Sequence, residues 1–166
     1  LIVSAMATAL DQEMLCVHLL EAGDDGTSAL RRSAAVGLPS PLLDVNGWLP
    51  LGVDGGAAGL AAARADAMVV EDLSTYPAPA PYRQAAALSG IRSEWAAPIV
   101  GGQGVLGTVS GFAGALSRPE PAQLELARLY LGYAASAIER ERLLSEVSRR
   151  NRVLESLRAM LETLAG

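Results

Sequence analysis

The side chains best suited to nucleophilic chemistry in this sequence lie two positions apart. Cys16 is the single cysteine and His18 the single histidine, and a thiol beside an imidazole is a common starting arrangement for covalent catalysis. Residues two apart on a strand share one face, but the sequence offers no third group that would orient the imidazole. We therefore expect no catalytic residues, and we interpret His18 as a buried structural histidine.

A glycine-rich run, 52–59, raises a second possibility, because glycine loops before helices can bind phosphate. The run has no Walker lysine and no GxGxxG spacing, and it does not follow a strong parallel strand. We interpret its glycines as permitting backbone turns and the close packing of an alanine-rich helix.

Metal and cofactor chemistry is restricted by the same shortage of ligands. One histidine and one cysteine cannot complete a closed zinc site, and the sequence contains no HExxH motif. The sequence therefore predicts that the protein is not an enzyme and that it binds no metal and no cofactor.

Charge and cysteine content limit the partners and the setting. The 166 residues carry a net charge of -5 at pH 7 and a pI near 4.9, which argues against a dedicated nucleic-acid surface. The basic cluster Arg149, Arg150 and Arg152 shares its helix with several glutamates, which indicates a solvated face. A single cysteine excludes an intrachain disulfide and favours the cytoplasm.

One segment, 95–116, contains no charged residue and could be mistaken for a membrane helix. It contains Pro98 and repeated glycines, which indicate two β-strands joined by a turn at 101–104. We therefore expect no membrane association.

The chemistry-bearing residues must be positioned by a mixture of strands and short helices. Periodicity and turn residues indicate the order of these elements. The predicted helices are 1–12, 57–65, 82–89 and 122–165, and the predicted strands are 13–22, 29–36, 67–70, 92–100 and 105–113. Residues 37–56 are interrupted by proline and glycine, and 76–81 contains three prolines that should prevent regular structure. The pattern predicts an α+β fold with a mainly antiparallel sheet covered by helices.

Six short motifs, in this order, give the sequence a recognisable form. They are Gly56-Ala57-Ala58-Gly59, Val69-Val70-Glu71-Asp72-Leu73, Tyr82 with its helix, Gly90-Ile91-Arg92-Ser93, Ala97-Pro98-Ile99 and Val105-Leu106-Gly107-Thr108-Val109. Their order and spacing over roughly residues 1–140, with the long helix that follows, resemble the GAF domain family. The resemblance implies a six-stranded antiparallel sheet flanked by helices, with a small-molecule pocket on one face and dimerising terminal helices on the other.

The resemblance also helps to exclude special subclasses. The NKFDE motif of the cyclic-nucleotide type is absent, and one cysteine cannot support the three-cysteine methionine-sulfoxide-reductase type. Bilin attachment is unsupported because Cys16 lies on the first strand. Some GAF domains bind haem, so haem ligation by His18 stays as a minor alternative.

Candidate ligand-binding residues are the few large aromatic and charged side chains that flank one predicted sheet face. Ligand sites are mostly apolar with a few polar anchors, and an alanine-rich domain has few other residues of this kind. The candidates are Trp48, Asp72, Tyr82, Arg92 and Trp95. We expect a cavity beside Arg92 and Trp95; the alternatives are that the aromatics fill the core and that Asp72 caps a turn.

The last helix carries an apolar seam typical of a coiled coil. Its apolar members alternate at spacings of four and three around Arg150, and Leu144, Val153 and Met160 widen the seam. The predicted dimerisation residues are Leu143, Val147, Leu154, Leu157, Leu161 and Leu164. We expect the first helix, with Ile2, Met6 and Leu10, to pack beside this helix in a symmetric dimer.

These features predict residues 1–140 as a GAF-like sensor domain and 141–166 as a coiled-coil signalling helix of a bacterial protein. The helix would lead to a covalently linked output domain outside the sequence. The leading hypothesis is a regulatory input domain that binds an unidentified small molecule and forms a homodimer. A dimerisation scaffold with a filled or vestigial pocket is the alternative, and an enzyme is disfavoured because no catalytic constellation is visible.

Overall fold

The computed structural model describes residues 2–166, so Leu1, the first residue of the predicted first helix, lies outside the described residues. The helices are α1 (Ile2–Ala9), α2 (Ser40–Val45), α3 (Gly56–Arg64), α4 (Ala80–Leu88) and α5 (Pro121–Ala165), with a 3-10 turn at Val53–Gly55. The strands are β1 (Met14–Ala22), β2 (Ser28–Val36), β3 (Trp48–Pro50), β4 (Met68–Val70), β5 (Ser93–Gly101) and β6 (Gly104–Ala113).

The six strands form one antiparallel sheet in the order β3-β2-β1-β6-β5-β4. This confirms the predicted α+β fold with a six-stranded sheet. The predicted strands and helices are present with ends that differ by one or two residues, except that α1 ends at Ala9, three residues before its predicted end at residue 12. The segment 37–56 also contains α2 and β3, and α4 begins at Ala80, inside the stretch predicted to be irregular, because proline is tolerated in the first helical turn.

Strand alternation divides the sheet into two buried faces. The face that we call the α5 face packs against α1 and the first part of α5, and it buries Leu15, Trp95 and Ile99. The face that we call the α3 face packs beneath α2, α3 and α4, and it buries Cys16, Ala96 and Phe112. The small residues of α3 let that helix lie close to β5 and β6.

The glycine-rich run before α3 folds back on itself. The amide of Gly52 donates to the carbonyl oxygen of Gly59 at 2.8 Å, and the amide of Gly55 donates to the carbonyl oxygen of Gly52 at 3.1 Å. These backbone groups are therefore used within the loop, as the close-packing interpretation of the run requires, and do not form an open phosphate cradle.

Helix α5 leaves the folded body after its first five turns. A capping box between Glu120 and Gln123 starts the helix, with proline at its first position. Ile138 and Glu139 are half-buried, whereas every residue from Arg140 to Gly166 is exposed. Among residues 2–166, none of the helices has the length and apolar content needed to span a bilayer.

A carboxylate holds the β5–β6 turn to α5 at the point where the helix leaves the body. Oε1 of Glu139 accepts a hydrogen bond of 2.7 Å from the amide of Gly102. A Cβ at Gly101 would clash with that same carboxylate and would lie 2.8 Å from Cδ1 of Leu106. The glycine at 101 therefore permits the close approach that the hydrogen bond needs.

Replacing Glu139 with alanine should weaken this attachment. We expect Glu139→Ala to lower the free energy of unfolding by about 1 kcal/mol, because a charge-assisted hydrogen bond at a half-exposed site is lost. Urea unfolding at fixed protein concentration measures the change. The matched control is Glu141→Ala, which removes an exposed glutamate two residues further along; equal effects of the two substitutions would contradict the attachment.

Candidate functional site

A single carboxyl group lies deep in the α3 face. Glu94, on β5, is 3 % exposed, and it shares its face with Ala96 because alternate residues of a strand point the same way. Burial raises the pKa of this carboxyl from 4.5 to about 7, and hydrogen bonds from Tyr82, Ala57 and Ala58 oppose that rise. The group therefore changes its charge near neutral pH.

Three donors from two helices converge on Glu94. The hydroxyl of Tyr82, on α4, donates to Oε2 at 2.7 Å, and the backbone amides of Ala57 and Ala58 donate from the first turn of α3. Amides at a helix N-terminus favour an anion because the helix dipole leaves them partly positive. No arginine among residues 2–166 forms an ion pair with Glu94 within 4.0 Å. The carboxylate is thus held by dipoles and not by a counter-charge.

Tyr82 reaches this position because the residue facing it has no side chain. Gly56 has a φ of 68°, and a Cβ there would lie 3.2 Å from Cζ of Tyr82. Burial and the neighbouring Glu94 raise the pKa of the Tyr82 hydroxyl well above its usual value. The hydroxyl therefore remains a donor over the physiological pH range.

A second polar cluster lies on the same face, on β1. Nε2 of His18 contacts the backbone oxygen of Asn46 at 2.8 Å; because a carbonyl only accepts, Nε2 carries the proton. Burial lowers the pKa of His18, so the ring is neutral, and Nδ1 faces Sγ of Cys16 at 3.7 Å as an acceptor. The sequence showed no group to orient His18, whereas the structure supplies the carbonyl of Asn46.

This Cys–His pair is not poised for nucleophilic attack in the folded state. Cys16 is fully buried, and burial raises the pKa of its thiol to about 12, with a small opposing effect of Arg32. The thiolate is the reactive species, so the thiol is inert at neutral pH. Arg32 itself donates from Nη1 to the oxygens of Leu43 and Asn46, at 2.6 Å each, which fixes the α2–β3 connection above the cluster.

Two hydroxyl groups complete the polar character of this face. Thr108 and Ser110, on β6, lie opposite His18 and Cys16 in the β1–β6 register. Both are fully buried, and neither hydroxyl has a hydrogen-bond partner among the described residues. Buried hydroxyls without partners are costly, so they mark a place where a water molecule or a ligand atom would be stabilised.

The five predicted ligand residues do not form one pocket. Trp95 points to the α5 face, 7 % exposed, where its Nε1 donates to Gln12 at 3.4 Å. Trp48 is 59 % exposed on the edge strand β3. Tyr82 is buried on the α3 face, and only Asp72 and Arg92 lie together, in a surface groove beside α4. The expected single cavity beside both Arg92 and Trp95 is therefore corrected, because strand alternation sends Trp95 through the opposite face of the sheet.

Sequence reasoning missed Glu94, Arg32 and Asn46. A signal for Glu94 was present, since it is the one acid at an inward-facing position of the apolar strand β5. Asn46 had no such signal, because its role depends on α2 and β3, two short elements within a segment that reads as irregular.

Comparison with known proteins agrees with this architecture. A family model described as GAF domain matches residues 1–139, and the chain belongs to the GAF domain family. No curated protein matches the sequence.

Solved structures with the same fold include proteins of different kinds. A domain described for a two-component sensor histidine kinase protein from Sinorhizobium meliloti 1021 is 19 % identical, with a TM-score of 0.69 over 90 % of this chain and 92 % of that one. A GAF domain/HD domain protein from Geobacter sulfurreducens is 17 % identical, with a TM-score of 0.67 over 86 % and 90 %. The fRMsr of Staphylococcus aureus is 19 % identical, with a TM-score of 0.61 over 81 % and 79 %.

The buried carboxyl predicts an unusual pH dependence of stability. The pKa of Glu94 is higher in the folded state than its ordinary value of 4.5, so its stabilising contribution is complete below pH 4.5 and is lost as the pH rises through about 7. The shift corresponds to about 3 kcal/mol.

The variant Glu94→Gln should remove this dependence, since its amide can accept from the α3 amides and donate to the oxygen of Tyr82. Urea unfolding across this pH range should show the wild type losing stability relative to Glu94→Gln as the pH rises. The exposed variant Glu141→Gln serves as control. Parallel stability curves for wild type and Glu94→Gln would contradict the buried, titrating carboxyl.

The purified protein should contain no haem, flavin, bilin or zinc. His18 already uses Nε2 for the carbonyl of Asn46, and among residues 2–166 no three histidine, cysteine, aspartate or glutamate side chains are grouped so that they could hold a metal ion. A visible absorption spectrum and elemental analysis test this expectation; a Soret band or stoichiometric metal would refute it.

Proposed function

We propose that this protein is a regulatory input domain of a multidomain signalling protein, which senses a small molecule and dimerises through its terminal helices. The observation that carries the proposal is a domain of the GAF family continued by a helix with an exposed apolar seam. All six predicted dimerisation residues are more than half exposed. Their relative exposures are 63 % for Leu143, 55 % for Val147, 63 % for Leu154, 51 % for Leu157, 66 % for Leu161 and 84 % for Leu164. Such a continuous apolar surface favours a partner.

The seam extends further towards the body than the predicted dimerisation residues. Leu129 and Tyr133 are 63 % and 75 % exposed, and they continue the same alternation of four and three through Ser136 and Arg140. In a coiled coil this register places them at the same interface as Leu143. The dimer contact would therefore begin on the folded body and run along the free part of α5.

The first helix would contribute less surface to the proposed dimer than the sequence suggested. Met6 and Leu10 are buried within the protomer, against the α5 face, and of the three predicted residues only Ile2 is exposed, at 54 %. Met6 and Leu10 face inwards because α1 covers the sheet beside α5. A bundle in the dimer would use the outer edge of α1 only.

Between Leu143 and Leu164, one arginine interrupts the seam. Arg150 occupies a seam position and pairs with Glu146 of the same helix at 2.7 Å, an i,i+4 pair on an exposed surface that adds little stability. Two such arginines facing each other across a dimer would weaken that layer of the helix pair. We infer that Arg150 marks the least stable layer between Leu143 and Leu164, where a change in helix crossing costs least.

The sensing part of the proposal rests on the polar interior of the α3 face. Glu94, Thr108 and Ser110 place beneath the helices of the α3 face a titratable carboxyl and two hydroxyls that have no hydrogen-bond partner among residues 2–166. A ligand can shift a conformational equilibrium only by binding one state better than another. Helix α4, which carries Tyr82, is the element whose movement would open this interior.

A dimerisation scaffold is the second candidate, and the packing of the α3 face favours it. Tyr82, Leu42 and Ala57 are all buried there, so the polar interior is covered in this state. The two candidates differ in whether α4 moves to admit a ligand. A catalytic role is not proposed, because the only thiol is buried and protonated.

The dimer seam is tested by substituting aspartate at two of its positions. We expect the wild type to be a dimer at tens of micromolar and Leu154→Asp, Leu157→Asp to be a monomer, because four carboxylates would enter one apolar interface. Light scattering measures both. The matched control Ser145→Asp, Ser156→Asp adds the same charge to exposed positions outside the seam and should stay dimeric. A monomeric wild type, or a seam variant as tightly dimeric as wild type, would contradict the proposal.

A further inference from the structure

A groove of about 650 Å³ lies beside α4, away from the polar interior of the α3 face. We define this α4 groove by α4 on one side and by the segments 72–74 and 90–92 on the other. Backbone hydrogen bonds hold the second side, since the amide of Leu73 donates to the oxygen of Arg92 at 2.8 Å, and the amide of Arg92 donates to the oxygen of Ala113 at 2.8 Å. The groove is therefore built on the end of the sheet.

The charges of the groove favour an anion. Arg83 and Arg92 both line it, both are exposed, and neither forms an ion pair within 4.0 Å in the described part of the chain. The one acid in the groove, Asp72, uses Oδ1 to accept from the amide of Ser74 at 3.0 Å and from its hydroxyl at 2.6 Å. Two guanidinium groups face one carboxylate, in a protein whose net charge is -5.

The floor of the groove is apolar. Leu73, Ala86 and Ile91 are buried beneath it, and Ala80 and Ala87 form the α4 wall. Small-ligand sites have volumes of roughly 300–1,000 Å³ with apolar linings and a few polar anchors. The groove meets these requirements, although it is open to solvent along one side.

We propose that the α4 groove binds a small organic anion, a carboxylate with an apolar body. The carboxylate would lie between Arg83 and Arg92, because a planar guanidinium donates two parallel hydrogen bonds to a carboxylate. The apolar body would lie over Leu73 and Ile91. This anion would be the ligand of the sensing function proposed above, so the biological role of the groove rests on that function.

The position of the groove suggests how such a ligand would act. Arg83 lies next to Tyr82 on α4, and Tyr82 donates to Glu94 at 2.7 Å. A ligand that draws Arg83 towards Arg92 would change the position of α4 and so the hydrogen bond to the buried carboxyl. The groove and the polar interior therefore share one helix.

A suitable probe is 4-phenylbutyrate, with the neutral 4-phenylbutyramide as the matched compound. Titration of isotope-labelled wild-type protein, followed by NMR, should show saturable binding with a Kd on the order of millimolar, as expected for a ligand of this size. Shifts should concentrate at the side-chain Nε groups of Arg83 and Arg92 and at the amides of Leu73 and Ile91. The amide compound should bind at least about tenfold more weakly.

Substitution of the two arginines tests whether they bind the carboxylate. Arg83→Gln and Arg92→Gln should each weaken binding of 4-phenylbutyrate about tenfold, whereas Arg64→Gln, an exposed arginine outside the groove, should not. Equal binding of the two compounds, shifts centred elsewhere, or no saturation with the carboxylate would overturn the proposal. Light scattering of the same samples separates this outcome from failure of the proposed dimer, because oligomeric state does not depend on the groove.

Discussion

The packing of the α3 face depends on one constraint, a carboxyl group buried without a cation. In the described part of the chain, Glu94 accepts hydrogen bonds from the Tyr82 hydroxyl and from the amides that begin α3, and it has no cationic partner. These donors must therefore be held in place by the rest of the structure, because an unsatisfied buried carboxylate would cost several kcal/mol. The glycine at 56 is explained by this requirement, since a side chain there would crowd the ring of Tyr82.

The two faces of the sheet have different tasks. The α3 face contains the polar interior and lies below α4, whereas the α5 face is apolar and supports the helix with the exposed seam. Strand β5 contributes to both, with Glu94 on one face and Trp95 on the other, and its terminal turn is attached to α5 by Glu139. Strand β5 and this hydrogen bond therefore connect the α3 face directly to α5.

The fold was largely predictable because its elements have clear periodicity and breakers. The β5 and β6 strands were recognisable from an uncharged segment divided by glycines, and α5 from its length without proline. The site was less predictable. Trp95 and Tyr82 belong to neighbouring segments, yet one residue of strand alternation places Trp95 on the opposite face. Asn46 could not be recognised, because α2 and β3 are too short to show a period, and Arg83 gained significance only when α4 placed it opposite Arg92.

The site depends on Glu94 being a buried carboxyl that is held by dipoles and titrates near neutral pH. Its side-chain carboxyl carbon can be observed by NMR in protein labelled at glutamate, with Glu94→Gln to assign the signal. We expect a midpoint near the pKa of about 7 for this one signal. A midpoint for Glu94 at the ordinary 4.5 would show that the carboxyl is solvated, and would contradict the arrangement on which the site is built.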